Sequence, residues 1–504
     1  MERLGSLTIT KMKTRILFIE PSLSASKNVK YLNHQVPMGF MYMANVLEKG
    51  GFEVKILDCP LYYKQKRKID DNLIKIGLFP EQIEKEIKDF DPSIVGVSCS
   101  FTMFEKDSFD MIDLIKKINK NILLVVGGAH ASANPHHVLR NKNIDFVVIG
   151  EGELTMLEIA QKYKNKKTLT DIKGTAFISN GKFKINSLRK QIENLDDFEP
   201  AWHLINLQDY FNHPDNSSVL KRGPSVSIIT SRGCPGQCVF CSVHTVWGRK
   251  WRAISAKKVV DQIEFLVRKY KVRHIRINDD NLTLNKSRII EICNEIVRRK
   301  LDIKWDTPSG VAFWTLDEEI LDAMKRSGYY RITFGIESGC KETLKYIRKN
   351  IDLEKVNYLI EYCHKINLWT ASFFIIGFPF EKKEEVKKTV NFIVNSKINF
   401  PFIFIAQPYL GTDLYQDFKG AGLLKEGFLD ASSFIKTKYK TKYFSSEELN
   451  NIRKFTYINF YLRKTLRYSN LLISYKEFFS KIRNLEDLKY TIKIFKNLLT
   501  DFLY

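Results

Sequence analysis

Residues 231–243 read SRGCPGQCVFCSV and hold three of the chain's eight cysteines, Cys234, Cys238 and Cys241, at C-x3-C-x2-C spacing directly after the apolar run SVSIIT. Three thiolates on one short loop are metal-binding chemistry. A structural zinc asks for four closed ligands, and no second C-x2-C or H-x3-H lies nearby to complete the set. A cubane iron-sulfur cluster held by three cysteines leaves one iron open to a substrate or cofactor. A loop of unpaired thiols is the third reading. Gly233, Pro235 and Gly236 let the backbone wrap closely around a bulky group. The other five cysteines (Cys59, Cys99, Cys293, Cys340, Cys363) are scattered singly, which argues against a secreted disulfide framework and for a reducing, cytoplasmic setting.

The loop must be held by something larger. At 504 residues the chain exceeds the ~250–300 at which single cores stop growing, so several domains are expected. Up to residue 155 short apolar runs (TRILFIEP, FEVKILDC, PSIVGVSCS, ILLVVGG, DFVVIGEGE) alternate with helical text such as MGFMYMANVLEKG. This is the pattern of a doubly wound, Rossmann-like α/β domain, whose ligand sits beyond the carboxyl ends of its strands. Residues 156–220 read as a connector containing the hairpin GTAFISNGKFKIN, with NG as its turn. From 221 to 420 the rhythm restarts in six units, SVSIIT, VRHIRIN, IKWDTPS, YRITFGIE, LWTASFFIIG and FPFIFIAQP, each followed by helical text. Six such units predict a partial (βα)6 barrel of TIM type, with its chemistry at the carboxyl ends of the strands, where the cysteine loop falls. Residues 421–504 read as a helical C-terminal domain, basic and aromatic.

The net charge of +23 is spread along the chain without an arginine-rich block, so no nucleic-acid partner is expected. No apolar stretch approaches the ~20 residues of a membrane span, and MERLGSLTITKMKTR lacks the apolar centre of a secretory signal. Tyr, Phe, Leu and Ile at helical spacing in the tail allow either packing on the barrel or peripheral contact with a lipid-like substrate or a membrane surface.

The cysteine triplet, with Phe240 before its last member and a barrel strand before the loop, resembles the radical S-adenosylmethionine (SAM) superfamily. That resemblance implies a 4Fe-4S cluster on Cys234, Cys238 and Cys241, whose open iron chelates SAM, and a 5'-deoxyadenosyl radical formed by one-electron cleavage, with Phe240 against the adenine. INDDNLTLNK (277–286) resembles the methionine-binding turn, where Asp280 receives the ammonium group; capping of the following helix is the rival reading. ITFGIESGCKETLK (332–345) resembles the fourth-strand motif, which points Glu337 and Ser338 toward the ribose or carboxylate of SAM. FFIIGFPFE (373–381) matches the fifth strand, where Gly377 and Pro379 would admit the adenine. IAQPYLGTDLY (405–415) resembles the closing segment, with Leu410 where Pro is common.

The first domain resembles the cobalamin-binding domain found upstream of this barrel in one branch of the superfamily, through VPMGFMYMANVLEKGGFEVKILD, VGVSCSFT and VVGGAHASANPHHVLRNKNIDFVVIGEGE. The resemblance implies that Ser98 and Thr102 line the pocket for the nucleotide tail, that Gly127 and Gly128 pass close to it, and that Glu151 sits near the corrin edge. One feature departs from the family. The D-x-H-x-x-G loop of His-ligated domains is DCPLYYK here, so a His-off cobalamin is expected, with His130 lining the pocket or hydrogen bonding; a degenerate domain that binds no cobalamin stays open.

The function implied is methylation of an unactivated carbon. One SAM methylates the reduced corrinoid, a second gives the radical that removes a substrate hydrogen, and the carbon radical takes the methyl group. An external electron donor such as flavodoxin or ferredoxin is implied with it, acting on a small-molecule or lipid-like substrate. The alternatives are a radical oxidation, cyclisation or ring rearrangement without methyl transfer, and a cobalamin or SAM sensor without turnover, against which the intact cysteines argue.

Overall fold

The first sheet is built on Arg15–Glu20 (β1), whose RILFIE buries Ile16, Leu17, Phe18 and Ile19 because helices cover both faces of a parallel sheet. The computed structural model describes residues 14–27, 29, 34–213, 220–424, 437–469, 482 and 484–502. Up to residue 13, the segment MERLGSLTITKMKTR lies outside the described residues, as do the side chains of much of the tail's apolar stripe.

β1 pairs in parallel with Glu53–Asp58 (β2) on one side and Ile94–Ser98 (β3) on the other, and Leu123–Gly127 (β4) and Phe146–Val148 (β5) follow. The order β2-β1-β3-β4-β5 reverses direction between β1 and β3, which opens a crevice at their carboxyl ends. Met38–Lys49 (α1) and Glu153–Lys164 (α4) cover one face, through Phe40, Ala44, Leu47, Met156 and Ile159. Pro80–Phe90 (α2) and Glu105–Ile118 (α3) cover the other, through Ile83, Ile87, Met111 and Ile112.

The hairpin expected in a connector belongs to this sheet. Thr175–Ser179 (β6) adds antiparallel to β5 and Lys182–Ile185 (β7) to β6, with Asn180 and Gly181 at positive φ in the turn. The open edge of β5 accounts for it: the Gly174 carbonyl accepts from the Ile149 amide at 2.8 Å and continues the ladder.

The barrel strands are Ser225–Ile228 (β8), His274–Ile277 (β9), Lys304–Asp306 (β10), Tyr329–Glu337 (β11), Trp369–Ile376 (β12) and Phe400–Ile405 (β13). All six are parallel and adjacent in chain order, an open barrel matching the six units read from the sequence. Their helices are Ala256–Tyr270 (α5), Lys286–Arg298 (α6), Glu318–Arg326 (α7), Leu353–Lys365 (α8), Lys383–Asn395 (α9) and Asp413–Gly420 (α10).

Among the described residues, the tail packs its buried apolar side chains onto the barrel. In Ser446–Ser469 (α11), Leu449 and Phe460 join the barrel's hydrophobic core, and the Tyr457 hydroxyl accepts the Ile403 amide of edge strand β13 at 2.8 Å. Leu485–Phe502 (α12) places Tyr490 against Tyr330 and Trp369, at the starts of β11 and β12, so it covers the end of the barrel opposite the cysteine loop. Among the described residues no helix is long and apolar enough to cross a membrane.

Candidate active site

The root of the cysteine loop is fixed by a buried carboxylate. Asp279, just past β9, accepts hydrogen bonds from the Thr230 amide (2.5 Å), the Thr230 hydroxyl (2.6 Å) and the Ser231 hydroxyl (2.6 Å). Burial pushes its carboxyl up, against the pull of Arg288 and these donors. Arg288 of α6 bonds the Thr230 and Ile254 carbonyls. Gly233 then turns at φ +87°, where a side chain would meet the Lys250 carbonyl at 2.4 Å.

Beyond that turn the three thiols are half-buried and close to one another. A Cβ on Gly236 would lie 3.3 Å from Cys234 Sγ and 3.9 Å from Cys238 Sγ, so the glycine keeps the space between them open. The Asn281 side-chain Nδ2 lies 3.9 Å from Cys234 Sγ. The Val239 carbonyl accepts from Leu414, and its amide donates to Ile347, which ties the loop to the barrel. Phe240 packs toward Phe378 with centroids 6.4 Å apart. Among the described residues no three His, Cys, Asp or Glu side chains are grouped to hold one metal ion. A cubane binds each thiolate through a different iron. Burial raises the Cys241 thiol to about 11, a shift that coordination reverses, because a metal-bound thiol is deprotonated.

Asp280 faces this loop. Its Oδ2 is buried without a protein partner, and burial, reinforced by Asp279, pushes the carboxyl up to about 6. A buried orphan carboxylate oxygen suits a cationic ligand group. The capping reading goes to Asn285, whose side chain accepts the Arg288 amide at 2.9 Å.

Glu337 ends β11 at φ +69°, an uncommon conformation for a side-chain-bearing residue, and is buried against Lys349, with Oε1 2.7 Å from Nζ. Lys349 also bonds the Gly335 carbonyl at 2.7 Å, and the charges of both side chains reach Cys238. Ser338 departs from the expectation. Just past the end of β11 it points to the surrounding helices, where its hydroxyl shares a 2.8 Å bond with Thr389 of α9 and accepts the Cys340 amide.

Gly377 and Pro379 depart too. A side chain at 377 would meet Leu449 at 2.9 Å and Ile405 at 3.2 Å, and the Pro379 carbonyl accepts the Lys442 amide, so the tail fills the side where an adenine cleft was expected. Glu381 fixes this turn by accepting the Gly377 and Phe378 amides at 2.7 and 3.2 Å. Burial raises its carboxyl to about 7. Lys349 and Glu381 were missed from the sequence; Glu381 closes the quoted FFIIGFPFE run, and Lys349 had no local signal.

In the first domain Ser98, Thr102, Gly127, Gly128 and His130 come together at the carboxyl ends of β3 and β4, beside the β1/β3 crevice. The Ser98 and Ser100 hydroxyls are 3.0 Å apart. Gly128, at φ +122°, admits no side chain, which would meet the Cys99 carbonyl at 2.8 Å. His130 Nδ1 pairs with the Thr102 hydroxyl at 3.0 Å, and Glu105 lies between His130 and His137. Burial works to raise the Glu105 carboxyl, yet the two neighbouring histidines hold it near 2. His130 is thus hydrogen-bonded through Nδ1, while its buried Nε2 has no hydrogen-bond partner among the described residues. Asp58, at the end of β2, bonds His34 Nε2 at 2.8 Å and the Tyr210 hydroxyl at 2.6 Å, a histidine contact from 24 residues upstream that the loop spacing did not reveal.

Glu151 is also placed differently from the expectation. Its carboxylate takes Arg232 at 2.9 Å, Arg252 at 2.9 Å and the Ile192 amide at 2.7 Å, all buried between the two domains, so it belongs to the interface and not to a corrin edge. Arg232 also bonds Glu153 at 2.7 Å and lies over the rings of Tyr42 and Trp247.

The molecule joins a flavodoxin-like sheet to an open parallel barrel, with three thiols and an orphan carboxylate at the barrel's mouth. A sequence model of the Radical SAM superfamily matches residues 228–393 and one of the B12 binding domain matches residues 28–160. The chain is 33% identical over 455 residues to an uncharacterized methyltransferase of Pyrococcus horikoshii, covering 90% of this chain and 93% of that one. It is 31% identical to cytidylyl-2-hydroxyethylphosphonate methyltransferase of Streptomyces wedmorensis, covering 86% of each. The fold matches TsrM of Kitasatospora setae (TM-score 0.67, 17% identity, 90% of this chain and 89% of that) and OxsB (TM-score 0.69, 16% identity, 98% and 72%). The chain belongs to the cobalamin-dependent radical SAM enzymes, in the branch whose members include methyltransferases. Its cofactors are a 4Fe-4S cluster, SAM and cobalamin.

Proposed function

We propose that the enzyme transfers a methyl group to an unactivated carbon of a small-molecule substrate. The observation that carries this reading is that both cofactor regions meet at one interface. Gly411, after β13, packs against Ala133 of the GGAHASA segment and against Thr245 just past the cysteine loop, with a Cβ there only 3.0 Å from each. Bound together, the cluster and SAM supply a carbon-centred radical oxidant and the corrinoid supplies the methyl group.

The chain's own residues hold and orient. Cys234, Cys238 and Cys241 would hold the cluster, Asp280 the ammonium of SAM, and Glu337, set by Lys349, its ribose or carboxylate. Ser98, Thr102, Gly127, Gly128 and His130 would line the seat for the corrinoid's nucleotide tail. The absence of a histidine from DCPLYYK supports a His-off cobalamin. An external one-electron donor of the flavodoxin or ferredoxin kind completes the system. The eight free cysteines fit a reducing, cytoplasmic compartment.

A second reading is a radical cyclase, favoured by 26% identity over 409 residues to the anaerobic magnesium-protoporphyrin IX monomethyl ester cyclase of Rubrivivax gelatinosus. SAM labelled in its methyl group separates the two. Label in a product carbon, with 5'-deoxyadenosine formed alongside, is expected; 5'-deoxyadenosine and altered substrate without label would establish the cyclase.

A further inference from the structure

The barrel's inner face changes character along its last two strands. Phe374 of β12 faces outward to Phe392 of α9, ring centroids 6.1 Å apart, so its neighbours Phe373 and Ile375 point into the barrel. Register sets Phe373 beside Phe402 of β13 and Ile375 beside Phe404. The Phe373 ring lies 5.7 Å from Phe402 and 5.8 Å from Phe404. These two inward rings are 38% and 42% exposed, while Ile403 between them is buried under α11. Strand β13 is the last of a sheet that does not close, so its inner face borders the open side of the barrel.

Two glycines border these rings, and the space of their missing side chains is taken by the Phe373 ring at Gly310 and by Lys349 and Glu337 at Gly335. Gly335 is the register partner of Phe373 across β11, and Gly310, past β10, would bring any Cβ within 3.1 Å of the Phe373 ring. Two residues on from Gly335 stands Glu337, so the aromatic surface continues from the cofactor-facing end of the same strand. The charged groups there are already matched: Lys349 is bonded to Glu337, and Arg331, lower in the barrel, to Asp306. Exposed rings beside paired charges favour an apolar occupant over an anionic one.

We propose that Phe373, Phe402 and Phe404 seat an apolar, ring-bearing part of the substrate, which enters through the open side of the barrel. The proposal rests on the methylation reading only in naming the occupant as substrate. Flat apolar rings meet such a group in offset or edge contacts.

N-phenyl-1-naphthylamine, a neutral aromatic fluorophore, is the probe, titrated into the anaerobically reconstituted holoenzyme. Saturable enhancement is expected. F402S/F404S should weaken probe binding about tenfold or more, and F402L/F404L, which keeps the apolar volume, should stay within about twofold. Iron content and SAM affinity should match the parent in both. F455S, on the exposed side of α11, is the surface control and should bind as the parent does. Absence of saturable binding, undiminished binding by F402S/F404S, or an equal loss in F455S would overturn the seat. If the double serine chain loses its iron, the single F404S decides by the same criteria. Probe bound at these rings with no labelled methyl transferred would overturn the methylation reading and leave the seat standing.

Discussion

Arg232 Nη1 donates to Glu151 Oε1 at 2.9 Å with side chains only 4% and 6% exposed, which fixes the root of the cysteine loop to the segment that follows β5 in the first domain. Burial works against the Arg232 charge, yet Glu153 and Glu151 outweigh it and hold the guanidinium above its ordinary range. Removing one side of a buried pair leaves the other charge unpaired, at about 3–5 kcal/mol. Glu151→Ala, which strands Arg252 and leaves Arg232 with Glu153 alone, should lower stability by that order in chemical denaturation. An unchanged midpoint would show that the interface is held by its apolar contacts alone.

Replacing Cys234, Cys238 and Cys241 together with Ala should abolish the brown absorbance and SAM cleavage. If the triple variant still retained about four irons per chain after anaerobic reconstitution, the count for a cubane, the cluster would lie elsewhere.

Glu337→Gln keeps the shape and removes the charge that pairs with Lys349. A hydrogen bond to a charged group contributes ~1.5–3 kcal/mol, so SAM affinity should fall about tenfold or more while the cluster spectrum stays intact. Equal SAM affinity would reduce Glu337 to a structural partner of Lys349.

What could be read from the sequence was local. The cysteine spacing, the glycine turns and the βα rhythm act within about one element, so the barrel and the place of its cysteine loop were legible in the sequence. Glu151 and Ser338 were misjudged because their partners lie 81 and 51 residues away, at Arg232 and Thr389. Gly377 has the positive φ of a turn glycine, but nothing nearby in sequence announces that Leu449 fills the space beside it. The tail's apolar stripe likewise signalled burial without saying which barrel surfaces it would cover.

Glu381 makes stability depend on pH. Its folded carboxyl titrates near 7 against an ordinary value of 4.5, so between those values the folded chain holds a proton that the unfolded chain releases. Stability therefore falls as pH rises through this window, and the loss is complete above 7. At 1.36 kcal/mol per unit the contribution is about 3 kcal/mol, which Glu381→Gln removes. The variant should match the parent at pH 5 and exceed it in urea midpoint at pH 8. Parallel pH profiles would mean that Glu381 is ionised throughout, stabilised by the Gly377 and Phe378 amides.

The corrinoid's lower face is the last test. Residues 58–64 offer DCPLYYK without a histidine, and His130 is engaged through Nδ1 by the Thr102 hydroxyl, so the Co(II) paramagnetic resonance spectrum should show no nitrogen superhyperfine splitting. His34 is the histidine to exclude, because Asp58 bonds its Nε2 at 2.8 Å at the end of β2, where a His-bearing loop would begin. His34→Gln and His130→Gln should each leave the cobalt spectrum of the loaded enzyme unchanged. Splitting that disappears in one of them would identify that residue as a cobalt ligand and end the His-off reading. Splitting that survives both would assign the nitrogen to another histidine or to the cofactor's own base. Failure to retain any cobalamin would remove the methyl carrier and leave the cyclase chemistry as the reading to pursue.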